Sequence, residues 1–382
     1  MKIVNIMQGT NLGGMEQASL RLMTGLKERG HSCEVISLNP IGGLGPLLEK
    51  QGIPALGLPY LGKGGWRSFP IMWRTLRAVE ADALIMTGHH LLAMLALGDL
   101  CRGRRLLAIH FHHAGVKPPL QWRLIYRIAC SRFQAITFPS DFVRSEAEAL
   151  YQPIKSLSHL VRNPLSIPQL PTAEDRKRSR RILGFPIGVP IIGNAGWLIP
   201  RKRFDVFLHV AAKVLQWVPD ALFLIAGDGD ERSRLEALAD QLQISERVKW
   251  LGWQQDLRPF FQSLDVLLFN SDWDAMGLSP LEAMGYGVPL VASVLQGGLK
   301  EIITGDEYGF LISSHDVDTL SARIVSYLQN PQEARRVALA GRERVAQVSS
   351  PPELTAQVEA LLFGTEGKNV PGFHNEDINQ WG

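Results

Sequence analysis

The sequence predicts an α/β protein made of two doubly wound parallel-sheet domains facing a cleft. Three observations lead there. Apolar runs of strand length alternate with helical patterns through both halves of the chain. Glycine-rich turns stand between strand and helix at Gly13-Gly14, Gly227-Asp228-Gly229 and Gly297-Gly298, where parallel sheets form ligand loops. Between the halves, Pro164, Pro168, Pro171 and the charged run 174–181 read as a linker passing into a solvated helix.

Residues 2–7 form the first strand and end in Gln8-Gly9-Thr10-Asn11-Leu12-Gly13-Gly14. A helical pattern runs through Met15, Leu20, Leu22 and Leu26 to Gly30-His31, and residues 33–38 give the second strand. No G-x-G-x-x-G follows, so dinucleotide binding has little support. Residues 44–100 continue the alternation, residues 106–109 lead into His110-Phe111-His112-His113, and residues 135–138 precede Pro139-Ser140-Asp141. The first domain is read as 1–165 and the second as 166–349, with strands at 190–194, 222–226, 248–251, 265–270 and 289–292. A helix at about 350–364 crosses back to complete the first domain, and 365–382 is a polar, glycine-rich tail.

The 382 residues, 46% of them apolar and 20% charged, are ordinary for a globular protein with large cores. A net charge of +3 from 40 basic and 37 acidic residues provides no global field of the kind that marks nucleic-acid binding. Cys33, Cys101 and Cys130 lack C-x-x-C spacing and read as buried thiols of a reducing cytoplasm. The most apolar window, 91–97, is too short to span a bilayer, so the expected location is cytoplasmic or peripheral at the membrane's inner face.

The chemistry concentrates in Asp274-Ala275-Met276-Gly277-Leu278-Ser279-Pro280-Leu281-Glu282-Ala283-Met284, between two predicted strands. Gly277 permits close backbone approach, and the amides of Gly277, Leu278 and Ser279 stand where a helix begins, a place suited to an anion. A structural alternative is an S-x-x-E capping box of Ser279 and Glu282 with Pro280 at the first helical position. His110, His112 and His113 stand at a strand's carboxyl end, where such sheets place ligands, with no acidic or cysteine partner at metal-binding spacing. Three D-x-D matches occur, at Asp228/Asp230, Asp272/Asp274 and Asp316/Asp318, a spacing common by chance. Trp66, Arg67, Trp73, Arg74 and Arg77, then Trp122, Arg123, Tyr126 and Arg127, recur at roughly helical spacing. Either they make a face for an anionic membrane, or the aromatics pack inward with the arginines solvated.

Taken together, these motifs resemble glycosyltransferase family 4, retaining enzymes of the GT-B fold. The family's E-G-F-G-x-x-x-x-E-A-M-A-x-G-x-P-V-V-A stands here as D-A-M-G-L-S-P-L-E-A-M-G-Y-G-V-P-L-V-A. Its G-G-x-E and R-G-H-x-V match Gly13-Gly14-Met15-Glu16 and Arg29-Gly30-His31. Its S-x-x-V and V-x-N-G/P match Ser140 to Val143 and Val161-Arg162-Asn163-Pro164. Its G-x-G matches Gly227 and Gly229, and its G-G-x-x-E matches Gly297 to Glu301. The likeness covers about residues 2–345. It implies that Glu282 holds the nucleotide ribose and that Asp274 and His112, favoured over His110 and His113, face the donor sugar. By the same likeness Gly13 and Gly14 lie near the diphosphate and acceptor, the amides around Gly277 and Leu278 hold the diphosphate, Gly196 and Met276 belong to the donor-binding set, and Trp253 and Gln254 approach the base. In the family's G-R-L-x-x-x-K-G the Lys is Lys202, whereas the Arg position is Trp197. The second positive charge is then expected from Arg201 or Arg203, with Arg201 preferred.

The resemblance implies transfer of a hexose from a nucleotide diphosphate sugar, most simply UDP-glucose or a related UDP-sugar. The acceptor would be a saccharide or a lipid-linked saccharide, the anomeric configuration would be retained, and neither cofactor nor metal would be needed. The competing expectations are a non-catalytic nucleotide-sugar binding protein, an epimerase or phosphorylase of the same architecture, and a metal-dependent transferase using one D-x-D.

Overall fold

The structure, a computed structural model, describes residues 1–59, 68–97, 104–109 and 117–364. Strands β1 (Lys2–Met7), β2 (Ser32–Ser37), β3 (Ala55–Gly57), β4 (Ala83–Thr87), β5 (Arg105–Ala108), β6 (Ala135–Phe138) and β7 (Ser158–Leu160) form one sheet, ordered β3-β2-β1-β4-β5-β6-β7. Strands β8 (Ile191–Ala195), β9 (Leu222–Ala226), β10 (Val248–Gly252), β11 (Val266–Asp274), β12 (Leu290–Gly297) and β13 (Phe310–Ile312) form a second, ordered β10-β9-β8-β11-β12-β13. The pairings are parallel. The strand order reverses beside β1 and beside β8, and loops leaving those points frame a crevice.

The sequences of the central strands follow from burial on both faces. Ile3, Val4, Ile6 and Met7 in β1 and Leu267, Leu268 and Phe269 in β11 are at most 1% exposed. Polar side chains there pair in part with one another, as where the Thr87 hydroxyl donates to Asn5 Oδ1 at 3.0 Å. Helices cover the first sheet on two sides. Met72, Leu76, Met94, Trp122 and Tyr126 pack on one face, whereas Met23, Leu26 and Leu48 pack on the other.

That second face also receives the last described helix, Pro351–Phe363, through Val358 and Leu362. Glu359 on this helix meets Arg29 and lies 3.0 Å from His31 Nε2, so the R-G-H segment serves as its anchor. The chain therefore passes between the sheets twice. The two passages are joined where Leu165 N–H donates to the Ser349 carbonyl at 2.9 Å.

Several strand ends differ from expectation. β11 continues to Asp274, four residues past the apolar run, because its partner β12 continues equally far and pairs Trp273 with Gln296 and Asp274 with Gly297. The aromatics Trp122 and Tyr126 are fully buried, so on helix Pro119–Arg132 the inward-packing alternative holds.

Candidate functional site

A cleft of about 810 Å³ lies between the carboxyl ends of the two sheets. That is within the ~300–1,000 Å³ common for small-molecule sites. Gly13, Gly14, Gly196, Arg201, Lys202, Trp253, Gln254, Asp274, Met276, Gly277, Leu278 and Glu282 all line it. His110, His112 and His113 lie outside the described residues.

Asp274 ends β11, and its carboxylate is doubly engaged. Oδ2 pairs with Lys202 Nζ, and Oδ1 accepts the Gly277 N–H at 3.0 Å. One of the amides expected to be free for an anion is thus already taken. Burial pushes the Asp274 carboxyl up. The Lys202 ammonium beside it, reinforced by Arg201 and the Gly277 amide, outweighs burial and holds it below the ordinary carboxylate range.

Lys202 closes the 3-10 turn Pro200–Lys202, with its ammonium 4.9 Å from the Phe269 ring centre. Arg201 lies 4.2 Å above the Trp273 ring and donates to the Trp273 carbonyl at 3.2 Å. Arg203 is committed elsewhere. In the left-handed conformation (φ 47°), it donates to both Asp205 oxygens at 3.0 Å and to Asp272 at 3.1 Å, and these acids, Asp205 foremost, raise its pKa. Asp272 also accepts from or pairs with His315 at 3.0 Å, and His315 reaches the buried Ser293 at 2.7 Å. This chain of contacts fixes the turn that carries Arg201 and Lys202. It leaves Arg201 the better placed of the two arginines to face the cleft.

The capping-box alternative fails in its geometry. Helix Leu278–Gly285 begins one residue before Ser279, with Gly277 as N-cap. Pro280 is accordingly its third residue, and the buried Ser279 hydroxyl has no hydrogen-bond partner. Gly277 has φ 76° and ψ 85°, and a Cβ there would also lie 3.0 Å from Pro280 Cγ, so glycine is needed. Glu282 turns away from the backbone amides. Its Oε1 pairs with Arg21 Nη2 at 2.5 Å, across 261 residues of sequence. Arg21, on helix Gly14–Glu28, was not singled out by the sequence, and no local pattern links it to Glu282.

Also in the cleft lining, Trp197 and Trp253 form a pair with ring centroids 4.4 Å apart, 44% and 37% exposed. Glu16, another cleft residue, has its carboxyl pushed up by burial against the pull of the backbone amides of Glu16 and Gly13.

Motifs that looked independent in sequence meet at one edge of the cleft. The Ser140 hydroxyl donates to the Ala275 carbonyl at 2.6 Å, Glu301 accepts the Phe142 N–H at 2.8 Å, and Arg162 lies 3.2 Å from Glu301. A Cβ on Gly298 would come within 2.4 Å of both Ser140 Cβ and the Ala275 carbonyl, so this contact needs glycine. Among the D-x-D matches, Asp316 caps helix Val317–Gln329, Asp228 accepts the Gly229 N–H, and Asp272 and Asp274 hold cations. No group of three potential metal ligands occurs among the described residues.

Residues 175–344 match the family of glycosyl transferases group 1, and residues 12–167 match glycosyltransferase family 4. The lipopolysaccharide core biosynthesis glycosyltransferase LpsE of Rhizobium meliloti (strain 1021) is 28% identical over 48% of this chain and 52% of its own. A GDP-mannose-dependent alpha-(1-6)-phosphatidylinositol monomannoside mannosyltransferase of Mycolicibacterium smegmatis is 28% identical over 64% of this chain and 67% of its own. An uncharacterized glycosyltransferase of Haemophilus influenzae is 26% identical over 86% and 90%. The chain spans about half the length of LpsE, 52%, and of a related mannosyltransferase of Corynebacterium glutamicum, 47%. Among solved structures, Anabaena Alr3699/HepE in complex with UDP-glucose superposes with a TM-score of 0.80 at 19% identity, covering 94% of this chain and 98% of that one. A glycosyltransferase from Rickettsia africae ESF-5 gives 0.78 at 17% identity over 94% and 97%. The two matched stretches fall on the two domains and take in every cleft residue named above, and the chain belongs to the group 1, family 4 glycosyltransferases of the GT-B fold.

Proposed function

We propose that this protein is a retaining glycosyltransferase that moves a hexose from a nucleotide diphosphate sugar to a hydroxyl of a saccharide or lipid-linked acceptor. The preferred donor is UDP-glucose or a related UDP-sugar. The observation that carries the reading is the Lys202–Asp274 pair beside Glu282 in a cleft shared by both sheets. In this reading Lys202 turns from Asp274 to the β-phosphate, with Arg201 adding charge, and together they stabilise the departing nucleoside diphosphate. Asp274, released from Lys202, accepts from the sugar hydroxyls, and Glu282 accepts from the ribose. His112 is assigned to the sugar by resemblance.

The acceptor oxygen bonds to the anomeric carbon on the face from which the phosphate oxygen leaves, and its proton passes to that oxygen. The products are the glycoside and the nucleoside diphosphate, with no metal in the scheme. Closure of the two walls excludes water and limits hydrolysis.

GDP-mannose is the competing donor, favoured by the mannosyltransferases among the relatives. Calorimetric titration with UDP, GDP and ADP, followed by turnover of UDP-glucose and GDP-mannose with and without EDTA, tests the proposal. Binding of one nucleotide with turnover in EDTA supports it. Binding without turnover of either sugar favours a binding protein, and activity lost in EDTA and restored by manganese overturns the metal-free scheme.

A further inference from the structure

The turn that carries Arg201 and Lys202 ends on a residue under strain. Arg203 has φ 47° and ψ 45°, a left-handed backbone that a side chain disfavours. Among the described residues Gln243 is the one other non-glycine with a positive φ. In the K-G pattern quoted above this position is a glycine, which adopts the conformation freely. The arginine is gripped at both ends of its guanidinium, by Asp205 two residues on and by Asp272 on the tip of β11.

Four consecutive residues of that tip touch the turn. The Ser271 hydroxyl lies 3.2 Å from the Arg201 carbonyl, Asp272 accepts from Arg203, the Trp273 carbonyl accepts from Arg201, and Asp274 pairs with Lys202. Asp272 is backed from inside the domain. His315 Nε2 lies 3.0 Å from the same Oδ1 that takes Arg203, and His315 Nδ1 lies 2.7 Å from Ser293 Oγ, to which Asn270 donates at 2.8 Å. Asn270 and Ser293 are fully buried on the paired strands β11 and β12. With one lone pair taken by Asn270, the Ser293 hydroxyl has its proton for His315 Nδ1, and the Nε2–H donates to the Asp272 carboxylate. His315 also stands just before helix Val317–Gln329, which packs on helix Phe204–Leu215, the helix that Arg203 caps. Arg203, Asp272 and His315 all lie outside the cleft lining.

On the reading above, Lys202 leaves Asp274 for the β-phosphate and Arg201 adds its charge there. The contacts that Asp274 and Trp273 make with the turn then loosen while ligand is held, and Ser271 and Asp272 keep the turn in place. We propose that Asp272 and His315 are positioning residues for the diphosphate, acting through Arg203 on the backbone from which Lys202 and Arg201 reach it. They touch no ligand themselves. Their loss should be felt at the diphosphate and not at the nucleoside.

The test is calorimetric titration of UDP and uridine, and of GDP and guanosine, on the full chain and its variants, with thermal unfolding of each. Asp272→Ala and His315→Ala should each weaken the diphosphate by roughly tenfold and leave its nucleoside unchanged. His315→Gln, which keeps a donor for Asp272, should recover most of that loss. In an Arg203→Gly background, where the guanidinium link is gone and the backbone is unstrained, Asp272→Ala and His315→Ala should have no further effect. Asp318→Asn, at an acid paired with Lys213 on the surface, should bind as the wild type does. Lys202→Ala separates this role from the donor site itself. If neither diphosphate binds, or if Lys202→Ala leaves its affinity unchanged, the donor-site reading fails and the positioning role with it. If Lys202→Ala weakens the diphosphate whereas Asp272→Ala and His315→Ala bind like the wild type, the positioning role alone is overturned. Equal losses of diphosphate and nucleoside with a lowered thermal midpoint, or losses that persist in the Arg203→Gly background, would overturn it as well.

Discussion

Replacing Glu282 with alanine separates its two roles. In the structure the carboxylate pairs with Arg21 at 2.5 Å, and the two side chains are 19% and 24% exposed. Partly exposed pairs contribute about 1 kcal/mol or less to stability. In the proposed complex the same carboxylate accepts from ribose, and hydrogen bonds to a charged group contribute about 1.5–3 kcal/mol. Subtracting the cost of loosening Arg21 leaves about 1–2 kcal/mol of binding, roughly a five- to thirtyfold rise in Kd for Glu282→Ala. Arg21→Ala removes the ion pair and spares the ribose contact. It should lower the thermal midpoint as much as Glu282→Ala does and leave nucleotide binding unchanged or tighter. Calorimetric titration and thermal unfolding of both variants decide the matter. If Glu282→Ala binds nucleotide like the wild type while matching Arg21→Ala in stability, Glu282 is only a tie between the domains.

Lys202→Ala leaves Asp274 buried with the Gly277 amide as its nearest support. The expected loss is about 2–4 kcal/mol of stability together with most turnover. Adding Asp274→Asn should restore the stability and not the turnover, as denaturant titration and a rate assay would show. Because the folded-state pKa of Asp274 is lowered, its contribution is present above the ordinary value of 3.8 and is lost as pH falls through the lowered one. Unfolding free energy should accordingly drop on that acid side, and Asp274→Asn should flatten the drop. Gly277→Ala forces a Cβ into a left-handed residue beside Pro280 and should cost about 1–3 kcal/mol, measured as a shift in urea midpoint. Trp197→Arg places a cation where the family carries one, and titration should show tighter nucleoside diphosphate with unchanged nucleoside.

The alternation of strands and helices is legible in the sequence because central strands carry short runs, such as 266–269, that are apolar on both faces. The end of β11 is not, because Ser271 to Asp274 are polar or mixed and join the sheet only through the equally long β12. The candidate loop is similarly divided. Gly277 and Glu282 stand out by spacing, whereas the choice between capping and a free carboxylate turns on where the helix starts. That start is set by the left-handed Gly277 and not by Ser279. Arg21 could not be found, since its partner is distant in sequence. Trp73 and Trp122 look alike in sequence, yet Trp122 is fully buried and Trp73 only half-buried, a difference that depends on neighbouring helices.

The hydrogen bond between Leu165 and Ser349 makes the two passages of the chain act as one spine, as in the binding of a book. Two lobes tethered by a single strand can swivel about many axes. Lobes joined by two strands that touch keep only the rotations whose axis runs through the touching point. Opening and closing then turns about that shared point, and Arg21 with Glu282 and Ser140 with Ala275 tie the two lobes to each other. A protease cut within 166–172 would sever one thread and leave the volume bound by the other.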